Sequence, residues 1–167
     1  MAILPIRTFP DPVLRRACEE AEPGTERIRR LAADMLETMY AAPGIGLAAP
    51  QVGENIRMIA VDVGGTLGSS DPHILLNPKI TASSDSVAFE EGCLSLPEFT
   101  LEVDRARVIQ ITHQDLDGSE KILLAEDLFA VAIQHEMDHL DGRLLVDYTS
   151  SVRRDMYRRK ARKMKAP

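Results

Sequence analysis

Apolar residues recur at helical spacing in TERIRRLAADMLETMYAAPG, where Ile28, Leu31, Ala32, Met35 and Met39 fall on one face. Thr25 supplies a capping oxygen and Gly44 stands just past the end, which predicts an amphipathic helix running into a glycine loop. The period then changes. Runs at 57–63, 74–81, 86–89 and 101–113 read as strands, separated by turn-rich stretches such as VGGTLGSSDPH and QDLDGSE. A second helix is predicted at 127–140, stopped by Gly142, and a third from about residue 150 onward. Strands bunched between helices predict an α+β fold: a mixed or antiparallel sheet packed around the second helix, with an N-terminal amphipathic helix and a basic C-terminal helix. No internal repeat or linker interrupts the chain, and only 64–73 reads as a flexible excursion. One domain is expected, with a body at 1–149 and residues 150–167 as its C-terminal helix or tail.

Composition narrows the class. With 44% hydrophobic and 28% charged residues, ten glycines and ten prolines, the chain is neither disordered nor fibrous. No apolar run approaches the roughly 20 residues that span a bilayer, and MAILPIRTFPDPV lacks the apolar stretch and cleavage site of a signal peptide. A cytoplasmic protein is expected, organellar only if a transit peptide has been removed. The formal charge of −6 is uneven, because residues 153–165 carry eight lysines or arginines against Asp155, which leaves −13 elsewhere. An acidic body thus bears a basic tail. Cys18 and Cys93 are expected to be free thiols.

The second predicted helix contains His135-Glu136-Met137-Asp138-His139. Its histidines are four apart, one turn above each other on the same face, so both imidazoles can grip one cation. The stripe Leu128, Val131, Ala132 runs directly into them and places them on the buried face, with Glu136 close enough to serve as a base. Core histidines satisfied by neighbours are the plain alternative. A metal satisfies both rings together, whereas unpartnered buried polar groups are costly.

A catalytic metal site of this type needs a third protein ligand and an open position. In the pattern HExxHxxGxxH, Gly142 fits, but Leu145 occupies the ligand position and cannot bind metal. No glutamate follows Glu136. The third ligand therefore lies upstream or is a later aspartate, Asp147 being the nearest. Upstream, Cys93 stands out in Glu91-Gly92-Cys93-Leu94-Ser95, where a thiol sits beside a glycine that admits close backbone approach. Cys18, in RRACEE, is read as packing or simply exposed, and His73 and His113 as non-functional.

The loop Gly44-Ile45-Gly46-Leu47-Ala48-Ala49-Pro50-Gln51 follows a helix, lacks a GKS or GKT ending, and has no third glycine at dinucleotide spacing, so it is not a phosphate loop. A helix C-cap followed by a turn explains Gly44 but not Gln51. Alternatively, the loop presents backbone to a peptide-like ligand while Gln51 donates to a developing oxyanion.

Taken in order, GIGLAAPQ, EGCLS and QHEMDHL resemble the three signature motifs of the peptide deformylases, with every fixed position matched. The likeness extends from PDPVLR at 10–15 through DHLDGRLLVDY at 138–148. The resemblance implies a deformylase-like catalytic domain that removes formyl from N-formylmethionine on new polypeptides. It implies Cys93, His135 and His139 as metal ligands, Glu136 as catalytic acid and base, and Gln51 with the Leu94 amide at the oxyanion. It further implies Gly44, Ile45, Gly46, Phe89, Glu91, Gly92, Leu128 and Val131 around the substrate, and Arg105 in support through charge pairing. Some family members carry an arginine where this chain has Thr100, so contacts beyond the first substrate residue do not carry over.

One thiolate and two imidazoles accept Zn²⁺, Fe²⁺, Ni²⁺ or Co²⁺. The resemblance favours Fe²⁺ as the physiological ion, with the others possible in a purified sample. Expected partners are N-formylmethionyl peptides and, through the basic tail, the ribosome near its exit tunnel; neither a membrane nor a stable DNA complex is expected. The competing readings are a metallopeptidase that cleaves internal amides and a noncatalytic module with a closed structural zinc site.

Overall fold

The computed structural model describes residues 2–66 and 68–165. Met1, Leu67, Ala166 and Pro167, which belong to the expected body, loop and tail, lie outside the described residues. The elements in chain order are α1 (Glu26–Ala41), β1 (Gly46–Ala48), β2 (Met58–Val61), β3 (His73–Cys93), β4 (Leu96–Gln114), β5 (Glu120–Glu126), α2 (Asp127–Leu140) and α3 (Ser151–Lys165), with short 3-10 turns between several of them. The strands form one sheet in the order β1-β2-β3-β4-β5, each pair antiparallel. The α+β expectation is met, and of its two sheet types the antiparallel one is realised. A single parallel bridge, Glu19 to Ile56, stands outside the strands.

α1 forms where the periodicity places it. The Thr25 side chain accepts from Ile28 N at 3.2 Å, and Ile28, Leu31, Ala32, Met35 and Met39 are buried against β1 and β2. α2 packs Ala130, Ala132, Ile133 and Leu140 against Ile59, Ile109 and Ile111 of the sheet. At its end Gly142 adopts φ +72, and a Cβ there would lie 2.4 Å from the Arg15 carbonyl oxygen, so both conformation and space call for glycine. α3 docks on the body, with Tyr157 OH donating to Pro97 O and Arg153 to Thr100 O. Tyr157 and Ala161 are buried, and the Tyr157 ring packs on Phe9 and Phe99 at centroid distances of 5.8 and 4.9 Å.

The strands depart from expectation in three places. The runs at 74–81 and 86–89 are parts of one strand, β3, whose exposed centre Thr81-Ala82-Ser83-Ser84 carries no alternation for a reader to find. Pairing with β4 along its length, with three register shifts, keeps it extended. β5 was not predicted, because Ile122 and Leu124 are exposed and blur its pattern. β1 lies inside what reads as a glycine loop, and three residues are too few to show a period.

One turn positions the site, and a second segment is anchored nearby. Cys93 pairs with Leu96, so only Leu94 and Ser95 join the two longest strands and the thiol sits at a hairpin tip. The segment after β2 is tied back to Asp62, whose carboxylate accepts from Gly64 N, Asp71 N, Ser70 Oγ and Tyr40 OH.

Candidate metal centre and active site

Helical spacing and the hairpin tip converge. Cys93, His135 and His139 each offer a ligand atom, and these atoms lie within 4.8 Å of one another. Cys93 Sγ is 3.4 Å from His139 Nε2, and the two imidazole centroids are 5.3 Å apart. The donor chemistry suits one divalent cation, since a thiolate and two neutral imidazoles bring soft and borderline ligands together. The surroundings fit a positive charge as well. Burial opposes charge on His135, yet its contacts with Cys93 and Glu91 and the nearby Glu136 raise its pKa well above the usual histidine value. His139 has the opposite tendency: burial and the neighbouring His135 and Arg105 keep it neutral, as a ligand must be.

His135 is oriented from behind. Its Nδ1 lies 2.9 Å from Glu91 Oε1, which leaves Nε2 toward Cys93 and His139. Arg105, buried beneath, reaches Glu91 Oε2 with Nε at 2.7 Å and Oε1 with Nη2 at 2.8 Å. Its Nη1 reaches Asp138 Oδ2 at 2.9 Å, and the Tyr148 hydroxyl donates to the same oxygen at 2.6 Å. Burial would raise the Glu91 pKa, but bonding to Arg105 and His135 outweighs it and the carboxyl is held below its ordinary value. The partner of Arg105, unreadable in the sequence, is thus Glu91 together with Asp138. Tyr148 went unread as well, although it closes the DHLDGRLLVDY stretch.

Glu136 stands beside the three ligands. Burial lifts its carboxyl to about 7, despite the opposing charges of His135 and Arg105. Oε2 has no hydrogen-bond partner among the described residues. Gly46 makes room for it: a Cβ on residue 46 would lie 2.9 Å from Glu136 Cγ and 3.1 Å from Oε1.

Gln51 is buried, and its orientation is fixed at both ends. Ala48 N donates to Oε1 at 2.9 Å, which turns Nε2 toward Ser95 Oγ at 3.0 Å and Cys93 Sγ at 3.7 Å. A cavity opens beside Cys93, bounded by Ile45, Gly46, Phe89, Glu91, Gly92, Leu94, Leu128, Val131, His135 and Glu136, while Gln51 and His139 are not among its lining residues. Gly44 lies outside this lining, against the Leu94 side chain. Glu90 and Ala132 also line it and were not singled out from sequence.

The remaining candidates lie elsewhere. Asp147, the alternative third ligand, is taken by Arg15 and the Leu144 amide. Cys18 packs beside the α2 core, where burial raises its thiol pKa to about 11. His73 pairs with Asp71, and His113 sits near the Gln114 carbonyl.

Among the described residues no helix is long and apolar enough to cross a membrane. The family profile described as polypeptide deformylase matches residues 3–155. The peptide deformylase of Brucella suis is 44% identical over 165 residues, covering 98% of this chain and 94% of that protein. That of Acinetobacter baumannii is 47% identical over 165 residues, covering 98% and 93%. The crystal structure of Ehrlichia chaffeensis peptide deformylase in complex with actinonin superposes with a TM-score of 0.94 at 37% identity, covering 100% of both chains. A Legionella pneumophila peptide deformylase gives 0.90 at 39% identity, covering 98% and 96%. On the strength of matched length, sequence and fold, the chain belongs to the peptide deformylase family.

Proposed function

We propose that this chain performs its family's reaction, removal of formyl from N-formylmethionine at the start of new polypeptides, with Glu136 as proton carrier. The observation that carries the reading is the Glu136 carboxyl, raised to about 7 by burial beside the Cys93, His135 and His139 donors. A group titrating there can both take and return a proton at neutral pH. Cys93, His135 and His139 would hold one divalent cation, three protein ligands leaving a position open. When bound, that cation supplies Lewis acidity that makes water a competent nucleophile near neutral pH.

The chain's own groups do the rest. Glu136 takes the proton that water loses as it adds to the formyl carbon, and hands it to the departing amine, so formate and a free methionine N-terminus result. Gln51 Nε2 and the Leu94 N–H donate to the carbonyl oxygen as negative charge grows, each worth about 3 kcal/mol in the transition state. Ile45, Phe89, Leu128 and Val131 take the methionine side chain, while Gly44, Gly46, Glu91 and Gly92 flank the peptide backbone. Glu91, held by Arg105, keeps His135 in the ligating tautomer.

Fe²⁺ is the ion we propose in the cell, with Zn²⁺, Ni²⁺ and Co²⁺ compatible with the same donors. The catalytic domain spans 1–149, and the basic C-terminal segment 150–167, which contains α3, belongs to it. Most of the charges on α3 face outward, which suits a tether to ribosomal RNA near the tunnel exit in the cytoplasm. Formate release from formyl-Met-Ala under anaerobic conditions tests the whole reading. Parent enzyme should turn over, and Cys93→Ala should lose both metal and activity; full activity in Cys93→Ala would overturn it.

A further inference from the structure

The two groups assigned to the oxyanion sit on separate pieces of chain, Gln51 on the 3-10 turn after β1 and Leu94 at the hairpin tip between β3 and β4. Neither turn by itself sets the distance between them. A third piece, the extended segment at 7–9, is bonded to both.

That segment is shaped by its own sequence. In Pro5-Ile6-Arg7-Thr8-Phe9-Pro10 the second proline keeps the residue before it out of the helical region, so Phe9 is held extended. In extended backbone the N–H groups of residues two apart point the same way, about 7 Å from each other. Here they bridge the two turns: Arg7 N donates to Gln51 O at 2.7 Å, and Phe9 N donates to Ser95 O at 2.8 Å.

The Gln51 side chain closes the circuit, its Nε2 donating to Ser95 Oγ at 3.0 Å. Strap, turn and hairpin tip are thus joined in a ring, with Leu94 adjoining Ser95. Phe9, Gln51 and Ser95 are each at most 3% exposed, so water does not compete for these bonds. The Phe9 ring pins the strap in place, packing on Tyr157 of α3 at 5.8 Å in the core that also holds Leu14, Leu96 and Phe99. Leu96 pairs with Cys93 across the hairpin, so strap and tip share that core. Neither Arg7 nor Phe9 lines the cavity or offers a ligand atom. Their contribution to the site runs through Gln51 and the hairpin tip.

We propose that residues 7–9 are a positioning strap for the reaction. By tying the Gln51 carbonyl to the Ser95 carbonyl, the strap holds the Gln51 amide and the Leu94 N–H at the spacing that a growing oxyanion requires, an inference that rests on the deformylase reading. Donors fixed in advance lower the barrier because nothing has to reorganise as charge develops. A misplacement of about 1 Å caused far from the chemistry can slow a reaction by about a hundredfold. Charge on that oxygen grows only beyond the ground state, so the effect falls on kcat and spares KM.

The test replaces Phe9 by phenyllactate, its α-hydroxy analogue, through nonsense suppression. This exchanges the N–H that bonds Ser95 O for an ester oxygen and keeps the side chain. On metal-loaded enzyme with formyl-Met-Ala amide, kcat should fall about tenfold, with KM within about twofold and metal content unchanged. Phe9→Leu, which loosens the strap without touching its N–H, should give a loss of the same kind. In Gln51→Ala one donor is already gone, so the ester should cost less than about threefold more. Leu14→Ala, in the same core but outside the strap, should lower the melting temperature and keep kcat. Parent-like kcat in both the ester and Phe9→Leu overturns the inference. So does a loss that persists undiminished in Gln51→Ala, or one that Leu14→Ala reproduces, because general stability would then be its source. If the parent releases no formate, the deformylase reading falls and takes the inference with it; the other failures leave that reading standing.

Discussion

Arg105 and Glu91 meet in the interior through two hydrogen bonds of 2.7 and 2.8 Å, one carboxylate oxygen for each guanidinium nitrogen. Both side chains are under a tenth exposed, so neither charge can fall back on water if the other is removed.

Arg105→Ala should therefore destabilise the protein by about 3–5 kcal/mol in urea unfolding, because Glu91 and Asp138 lose their common cation together. Arg105→Lys should recover only part, since an ammonium cannot span both oxygens of Glu91. Metal stoichiometry should fall in step, as the carboxylate that orients His135 loses its anchor. A stability equal to the parent's in Arg105→Ala would show that the pair contributes nothing.

Gly46→Ala should slow turnover by about a hundredfold while the metal content stays near the parent's, because the new methyl displaces the Glu136 carboxyl without reaching the ligands. Glu136→Gln should cost about 10²–10⁴ in kcat with the metal retained. Formate release and metal analysis on the same samples check both. Parent-like kcat in either variant would remove Glu136 from the proton transfers.

The Asp62 anchor has a pH signature. Its folded pKa is lowered from 3.8 to about 2, so its stabilising effect is fully present above about pH 4 and is lost as pH falls through about 2. The gap in melting temperature between parent and Asp62→Asn should be widest near pH 5 and close toward pH 2. A gap that does not narrow on acidification would mean that the carboxyl is not held in its ionised form.

For the basic helix, deletion would confuse binding with folding, because Tyr157 and Ala161 are buried against the body. Neutralising the exposed Arg159, Lys160, Arg162 and Lys163 to glutamine leaves that packing alone. Ribosome affinity should fall and its salt slope flatten by about one for each lost phosphate contact, with short formyl peptides turned over as before. Binding that ignores all four changes would exclude the tether.

The parts of this molecule that were legible in sequence are those whose information is local. The α1 stripe and the paired histidines of α2 follow from 3.6-residue periodicity, and Cys93 from its immediate neighbours. Long-range partners were not legible. Arg105 is 14 residues from Glu91 and 33 from Asp138, and nothing in the intervening chain states that they meet. The exposed centre of β3 and the exposed apolar residues of β5 carry no alternating pattern because neither has a simple buried face. Gly46 was read as part of a loop, and its place against Glu136 emerges only when β1 and α2 are brought together.

The hairpin tip that carries Cys93 and the helix that carries His135 and His139 are separate pieces of chain, and the thiol and His139 are 46 residues apart. A cation bound to all three would rivet one piece to the other. Only a chain whose hairpin and helix have already docked can present the full donor set, so metal capture would report that folding is complete, and chelation would free the two pieces to separate.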